Sequence, residues 1–394
     1  MIRRALASLV LCLILLAAGI YLGGHPSGLP GFIRNPLVGD KDTRVVNEAI
    51  DQIHDTYYRE YGESDLSNRA IAGIVASLND RFSNYFIPKD YTSFKLQQQG
   101  EFAGIGVSVT KDKDGLKIVK VYDNSPAKDA KLANGDVITS VGGKSLAGRP
   151  QDSAVALIQG KLGTSVALTV RHGGQPRSVT LTRSNVEFPV VSSSEKTVDG
   201  RKLGIIHLEQ FSSGAHAEVA AALRKQMKDG VKGLVLDLRN NPGGLVTEAQ
   251  LVASEFLKDG KIVTTKGRSV PTRTLNATGD VIAPNLPMVV LVNRNSASAA
   301  EIVSGALQDR GRAELVGTRT FGKGVFQEVI DLSNGGALDI TAGQYFLPSG
   351  RNLGGKGTDT GSGLTPSVQA ADNPKTPHKD EGLDKALDVL AAKA

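Results

Sequence analysis

The sequence lacks tryptophan and contains a single cysteine, Cys12, among its 394 residues. One cysteine excludes an internal disulfide framework and a thiolate metal cluster. A strong charge of one sign is also missing, because 46 Lys and Arg residues face 40 Asp and Glu residues. The sequence has no dense basic stripe of the kind that nucleic-acid binders carry. With 40% hydrophobic and 22% charged residues, the composition predicts about two to four globular domains and no nucleic-acid partner.

The first 24 residues combine two arginines with a long apolar run. Arg3 and Arg4 are the only charges there, and Ala5 to Tyr21 is apolar. A positive start followed by an apolar stretch is typical of a secretory signal or a signal-anchor. Residues 1–24 therefore predict an extracytoplasmic protein, periplasmic or in the cell envelope. A cleaved signal and an anchor retained in the membrane both stay open.

Composition divides the remainder of the chain into five segments. Proline and glycine concentrate in residues 25–42, as in a linker, and residues 43–99 show helical spacing of apolar residues. Residues 100–184 alternate like strands, with two short helices. In residues 185–372, strands that are apolar throughout alternate with helices, which favours an α/β core around a largely parallel sheet. Residues 373–394 form a tail, in which residues 383–394 are either a short helix or a disordered end.

The usual signatures of nucleophiles and metals are missing. The sequence contains neither G-x-S-x-G nor H-E-x-x-H. His207 lies within an apolar strand, where a structural role is the stronger interpretation. A Ser-His-Asp triad therefore has little support, although His207 and His216 stay open as candidates.

Two turns of small residues offer a serine and a lysine instead. Ser298 follows the apolar strand that ends at Val292, and Lys323 stands between two glycines. A lysine can act as a general base only where loss of water lowers its pKa. Taken one at a time, a helix cap for Ser298 and a solvated turn for Lys323 are the stronger interpretations. The glycines of residues 240–244 would either offer amides to an oxyanion or form an ordinary βα loop.

Taken together, these segments resemble the carboxyl-terminal processing proteases, also called tail-specific proteases. The resemblance covers residues 40–368 and rests on sequence blocks that stand in the family's order. The blocks are L-D-L-R-N-N-P-G-G at 236–244, S-A-S-A-A-E at 296–301, G-A-L-Q-D at 305–309, F-G-K-G-V-F-Q at 321–327 and P-S-G-R at 348–351. The resemblance implies a crotonase/ClpP-like α/β protease core into which a PDZ domain is inserted at residues 100–184.

The resemblance also implies a role for each matching residue of the core. Ser298 would be the nucleophile, Lys323 its general base and Gln327 the residue that orients the lysine. The backbone amides of Ala299 and Gly244 would hold the oxyanion. The implied enzyme is a serine-type endopeptidase that cleaves extracytoplasmic proteins near their C-termini and needs no cofactor or metal.

The PDZ module also implies what kind of partner the protein would bind. Its loop would bind the carboxylate of a substrate tail on the amides of Gly104, Ile105 and Gly106, and the tail would add to the sheet as an edge strand. The implied partners are proteins with apolar C-terminal tails, and the family allows for a lipoprotein-type adaptor and a homo-oligomer. Many relatives carry arginine where this chain has Gln159, which puts arginine-mediated gating in question. The alternative function is an inactive PDZ adaptor or chaperone that binds protein C-termini.

Overall fold

A computed structural model describes residues 41–355, 358–376 and 378–394. They form two compact units, one ending at Ser77 and one beginning at Leu78. The predicted signal or anchor segment and nearly all of the predicted linker lie outside the described residues. Within the described ranges, no helix is long and apolar enough to cross a membrane.

The first unit contains helix α1 (Lys41–Thr56) and helix α2 (Glu63–Ser77). Helix α1 is strongly amphipathic, and Asp42 in its first turn complements the helix dipole. The helical module predicted over residues 43–99 is therefore divided. Residues 78–99 belong to the second unit, where the strand Asn84–Phe86 pairs with the strand Ala337–Phe346.

The second unit contains every other element in the described part of the chain. Its strands are β1 (Asn84–Phe86), β2 (Glu101–Gly104), β3 (Val107–Asp112), β4 (Gly115–Val121), β5 (Val137–Val141), β6 (Lys144–Ser145), β7 (Ser165–His172), β8 (Gln175–Thr182), β9 (Ser184–Glu187), β10 (Val191–Val198), β11 (Arg201–Leu208), β12 (Gly233–Asp237), β13 (Lys261–Gly267), β14 (Arg273–Asn276), β15 (Met288–Val292), β16 (Glu314–Gly317), β17 (Val325–Asp331), β18 (Ala337–Phe346) and β19 (Val368–Gln369). Its helices are α3 (Pro88–Gln98), α4 (Pro126–Asp129), α5 (Gln151–Ile158), α6 (Ala215–Lys228), α7 (Val246–Ser254), α8 (Ala299–Asp309) and α9 (Glu381–Ala391).

The β-rich module is an antiparallel sheet in the order β3-β4-β5-β7-β8, with β6 paired to β5. Its core contains Ile118, Ile138, Leu168 and Val170, all at most 2% exposed. Strand β3 lies at the edge of this sheet and pairs with β4 alone. A separate two-stranded ladder of β2 and β9 joins both ends of the module to the core. An open edge strand of this kind can accept an added peptide strand.

The core sheet has the order β10-β11-β12-β15-β16-β19, and every pair except β10–β11 is parallel. Alternate residues of its central strands face two helical layers. One layer contains α6, α7 and α8, and the other contains α9. The strands are apolar throughout because both faces of the sheet are covered.

The end of the chain is part of this core and not a loose tail. Leu387 and Leu390 of α9 are 2% and 0% exposed and pack on the sheet with Val235 and Leu291. The structure therefore decides between the two predictions for residues 383–394 in favour of a helix.

A second, antiparallel sheet runs in the order β1-β18-β13-β14, with β17 also paired to β18. Strand β1 pairs with the start of β18, so that Asn84 lies opposite Asp339. Strand β17 begins just after Lys323 and runs along β18. The second sheet thereby brings residues 80–86 next to the segment that follows the lysine.

Candidate active site

Ser298 lies at a sharp turn between β15 and α8. Its backbone angles are φ 55° and ψ −115°, which L-residues other than glycine rarely adopt. Strain of this kind persists only where the surroundings enforce it, and it concentrates at functional sites. The same strand-to-helix geometry exposes the serine in G-x-S-x-G nucleophile elbows, although that sequence pattern is missing here. Ser298 is also the N-cap of α8 and forms a capping box with Glu301, so the backbone strain is a feature beyond what an ordinary helix cap requires.

The glycine-rich loop that follows β12 lies directly against this turn. A Cβ atom on Gly243 would lie 2.8 Å from the Cβ of Ser298 and 2.8 Å from the carbonyl oxygen of Ala297. The loop is fixed to the turn by a hydrogen bond from the Ala297 N–H to the Asn241 carbonyl, at 3.0 Å. Glycine is therefore required at position 243 for the loop to approach the serine so closely.

Glu301 joins the serine turn to the lysine loop, and sequence reasoning assigned it no role. Its Oε2 accepts hydrogen bonds from the backbone N–H groups of Ser298 and Lys323, each at 2.9 Å. Its Oε1 accepts from the Gly322 N–H at 2.7 Å and from the Thr320 hydroxyl at 2.6 Å. Because one carboxylate oxygen accepts from both backbones, the structure brings the backbones of Ser298 and Lys323 close together.

The environment of Glu301 explains how a carboxylate is tolerated there. Its side chain is fully buried, and burial raises its pKa, while the four hydrogen bonds oppose that rise. An isolated buried charge would be very costly, so charge-assisted hydrogen bonds are needed to compensate. The block S-A-S-A-A-E contained the residue, but only the tertiary contacts show what it binds.

Lys323 is half-buried, and its ammonium contacts the predicted orienting residue. Its Nζ donates a hydrogen bond to Gln327 Oε1 at 2.7 Å and lies 5.0 Å from the centroid of the Phe82 ring. Burial lowers the pKa of Lys323, while the charges of Asp339, Asp80 and Glu301 oppose this effect. Desolvation thus shifts the lysine in the direction that a general base requires.

An irregularity between β17 and β18 fixes the position of Gln327. The register shifts so that Phe326 lies opposite Gly343 and Gln327 lies opposite Thr341. Gln327 Nε2 then donates to Thr341 Oγ1 at 3.1 Å. The irregularity directs the amide toward the lysine, as bulges beside functional sites often do.

Two backbone amides near Ser298 have no acceptor among the described residues. Ala299 is the first residue of α8, where an N–H has no partner within the helix. The Gly244 N–H is likewise without an acceptor in this part of the chain, whereas the Gly243 N–H already donates to Asn241 Oδ1 at 2.8 Å. This arrangement favours Ala299 and Gly244 as the oxyanion donors, the pair that the resemblance implies.

The predicted tail-binding loop lies between β2 and the edge strand β3. The carbonyl groups of Ile105 and Gly106 accept from the N–H groups of Ala127 and Tyr122, at 2.8 and 3.0 Å. The N–H groups of Ile105 and Gly106 have no acceptor among the described residues, and Gly104 ends β2 opposite Ser184. The loop therefore offers free donors at the end of an open strand edge, as carboxylate binding requires.

The two candidate histidines bind acidic residues. His207 Nδ1 lies 3.6 Å from Asp237 Oδ2, and His216 Nδ1 lies 2.9 Å from Glu248 Oε2. The nearby carboxylate of Asp237 raises the pKa of His207. Neither histidine is hydrogen-bonded to Ser298 in the described part of the chain. These contacts support structural roles for both histidines.

Family models match both domains of the second unit. The model described as Peptidase family S41 matches residues 202–368, and a PDZ domain model matches residues 103–182. Two curated relatives, each named "Probable CtpA-like serine protease", are 33% identical to this chain. The one from Staphylococcus haemolyticus aligns over 80% of this chain and 64% of its own length, and the one from Staphylococcus saprophyticus over 89% and 70%. The chain thus matches only part of the length of these relatives.

Solved structures agree with this assignment. The photosystem II D1 C-terminal processing protease is 28% identical, with a TM-score of 0.51, and the match covers 89% of this chain and 98% of that one. A candidate S41 protease from Bacteroides fragilis, 19% identical with a TM-score of 0.53, shares the fold over 86% of this chain and 92% of its own. The fold and site define a PDZ-bearing α/β protein of the serine-peptidase type. The chain belongs to peptidase family S41, which confirms the predicted family and fold class.

Proposed function

We propose that this chain is a serine endopeptidase with a Ser298–Lys323 dyad that cleaves extracytoplasmic proteins near their C-termini. One observation carries the proposal: a single carboxylate oxygen of Glu301 binds the backbones of both dyad residues. Family membership supports the peptidase activity, and the similarity to a C-terminal processing protease supports the site of cleavage. The apolar start of the sequence supports a location outside the cytoplasm.

The proposed dyad would act as a nucleophile and a general base. Neutral Lys323 takes the proton of the Ser298 hydroxyl as the serine oxygen attacks a peptide carbonyl. The amides of Ala299 and Gly244 then hold the oxyanion, and loss of one such donor typically costs roughly 3–4 kcal/mol. The protonated lysine gives its proton to the leaving amine. Water then hydrolyses the acyl-enzyme, with the lysine again acting as the base.

The PDZ module would select the substrate. A free C-terminus would extend along the open edge of β3, with its carboxylate on the amides of the loop at residues 104–106. The hydrogen bonds along the strand are independent of sequence, so apolar tail side chains would have to be chosen by the surface beside β3. Proteins with accessible, apolar C-termini are therefore the proposed substrates.

Two variants of the full chain test the proposal. Ser298→Ala and Lys323→Met should each abolish cleavage of an unfolded protein such as β-casein and retain the melting temperature of the parent. A fluorophosphonate probe should label the parent on Ser298 and fail to label Ser298→Ala. If both variants cleave as the parent does, the dyad is refuted. If the parent binds tail peptides and cleaves nothing, the PDZ adaptor is the correct function.

A further inference from the structure

The hydrogen bonds of Lys323 continue beyond Gln327 into a segment far away in sequence. Gln327 Nε2 donates to Thr341 Oγ1 at 3.1 Å, and the Thr341 N–H donates to Ser83 Oγ at 3.0 Å. The Ser83 hydroxyl in turn donates to Asp80 Oδ2 at 2.5 Å. Burial raises the pKa of Asp80, while hydrogen bonding from the hydroxyls of Ser83 and Thr341 lowers it, so that the pKa is lowered overall. Asp80 therefore interacts with the hydroxyl of Thr341 and, through Ser83, with its backbone N–H.

The hydrogen bonds of this network are donated in one direction, and the Asp80 carboxylate at its end sets that direction. An ionised carboxylate only accepts hydrogen bonds, so the Thr341 hydroxyl must donate its proton to Asp80. The Thr341 oxygen is then left to accept, which requires the NH₂ group of Gln327 to face it. The carbonyl oxygen of the same amide consequently faces Lys323 Nζ, at 2.7 Å.

The direction matters because a base needs a free lone pair. With Oε1 facing Lys323, the amine uses an N–H in the contact and keeps its lone pair for the serine proton. A reversed amide would present N–H groups to the amine, and these donors would occupy the lone pair that catalysis uses. Both orientations of a primary amide fill the same space, so packing alone does not choose between them.

We propose that Asp80 is a positioning residue that fixes the orientation of the Gln327 amide through Thr341 and so keeps the lone pair of Lys323 available. The inference rests on the proposed serine-lysine function and adds a requirement to it. Asp80 lies outside the stretch matched by the peptidase family model, residues 202–368. The segment before the PDZ module would thus contribute to catalysis.

A purely electrostatic role for Asp80 makes a different prediction. The charges near Lys323 are Asp80 and Asp339 in and beside the second sheet and Glu301 on α8, and Arg81 lies over the neighbouring Phe82 ring. Removing a negative charge lowers the pKa of the lysine and moves the acidic limb of the rate profile to lower pH. That change alone would leave the rate at the alkaline plateau intact. A reversed amide lowers the plateau itself, because it removes the lone pair at every pH.

The test compares Asp80→Asn with the matched variant Asp339→Asn in the full chain. The probe is a fluorescence-quenched peptide with a free apolar C-terminus, and kcat and KM are measured across pH. An asparagine can donate to Thr341 and so permits the reversed direction. For Asp80→Asn we expect plateau kcat to fall at least about tenfold, with KM within about twofold, since a positioned base contributes at least this much. Asp339→Asn should shift only the acidic limb.

A second pair of variants covers the case in which Asp80→Asn fails to fold. Thr341→Val removes the hydroxyl at nearly constant volume, and Thr341→Ser retains it. Plateau kcat should fall in the valine variant and return to within about threefold of the parent in the serine variant, because only the hydroxyl transmits the direction. Parental plateau rates in both Asp80→Asn and Thr341→Val would overturn the inference.

The same data separate this inference from the proposed function. If Ser298→Ala cleaves the peptide as fast as the parent, the serine-lysine function itself is wrong. If Ser298→Ala is inactive while Asp80→Asn and Thr341→Val keep the parental plateau, only the role of Asp80 is wrong. Near-ultraviolet circular dichroism and melting curves show whether each variant is folded.

Discussion

At the scale of single residues, the site contains two ionisable side chains, Glu301 and Lys323, whose neutral forms are favoured by burial. Glu301 is fully buried, and four hydrogen bonds offset part of the cost of its charge, while its pKa is still raised. The Lys323 ammonium has one hydrogen-bond acceptor, Gln327 Oε1, and lies over the Phe82 ring. Because these contacts replace only part of its hydration, burial destabilises its charged form and lowers its pKa. Glu301 therefore joins the two backbones, and the pKa of Lys323 is shifted in the direction that the proposed general base requires.

The lysine gives the activity a definite pH dependence. The neutral amine is the active form, so kcat/KM should rise with pH through the lowered pKa of Lys323 and then level off. That acidic limb should lie below 10.5, the ordinary value for a lysine. The rate of fluorophosphonate labelling of Ser298 should follow the same limb, because it needs the same base. A limb at the ordinary lysine value, or labelling independent of pH, would contradict a desolvated base.

The family resemblance of short sequence blocks made it possible to predict the proposed dyad, whereas the contacts that support it were not predictable from the sequence. Ser298 and Lys323 stand among small residues, and Gln327 stands four residues after the lysine in the same sequence block, which a reader of the sequence can recognise. Glu301 stands in one of those blocks without any local sign that it binds both chain segments. Asp80 stands in none of these blocks. Its contact with Thr341 was not predictable, because the two residues are 261 positions apart in sequence.

At the scale of secondary-structure elements, the site is assembled where strands end. The serine turn follows β15, the glycine loop follows β12, and the lysine precedes β17. Because β12 and β15 are adjacent and parallel, their carboxyl ends meet at one edge of the core sheet, where α/β proteins place ligands. The second sheet supplies the remaining support through β17 and β18.

The loop that follows β2 should control tail binding separately from the chemistry. Gly106 has φ 80°, and a Cβ there would lie 2.1 Å from the Cβ of Ser125. We expect Gly106→Ala to distort the loop and to raise KM for a tail peptide at least about tenfold, a loss of roughly 1.4 kcal/mol. Labelling of Ser298 by a small fluorophosphonate should stay near the parental rate, because that probe needs no tail.

A matched glycine variant makes this prediction specific. Gly143, in a turn of the same module, has φ 76°, and a Cβ there would have no neighbouring atom within 4 Å. Gly143→Ala imposes similar backbone strain without the clash, and KM should change by less than about twofold if only strain is added. An equal rise of KM in both variants would show that the loop has no particular role. Peptides with an amidated C-terminus should bind the parent weakly in the same assay.

At the scale of the whole molecule, the last helix completes the core. Helix α9 covers the face of the central sheet that α6, α7 and α8 leave open. A Cβ on Gly233 of β12 would lie 2.8 Å from Leu390, which shows how closely helix and sheet approach. The C-terminal segment is therefore part of the fold that supports the site.

Removal of this packing should destabilise the protein. Leu390 is fully buried, so Leu390→Ala should lower the free energy of unfolding by about 2–5 kcal/mol. Leu162→Ala is the matched control, because that side chain is 47% exposed and surface changes usually stay within about 0.5 kcal/mol. Denaturant unfolding of the full chain measures both. Equal stability of the two variants would mean that α9 contributes little to the core.

The local features of this protein could be predicted from the amino-acid sequence: the apolar strands of the core, the small-residue turns and the blocks that identify the family. These follow from patterns a few residues long, which act wherever the chain goes. The tertiary structure decided that one carboxylate joins the serine and lysine backbones, that Asp80 reaches Gln327 through Thr341, and that the end of the chain is core. Such contacts join segments tens to hundreds of residues apart, and only the packing of sheets and helices brings those segments together.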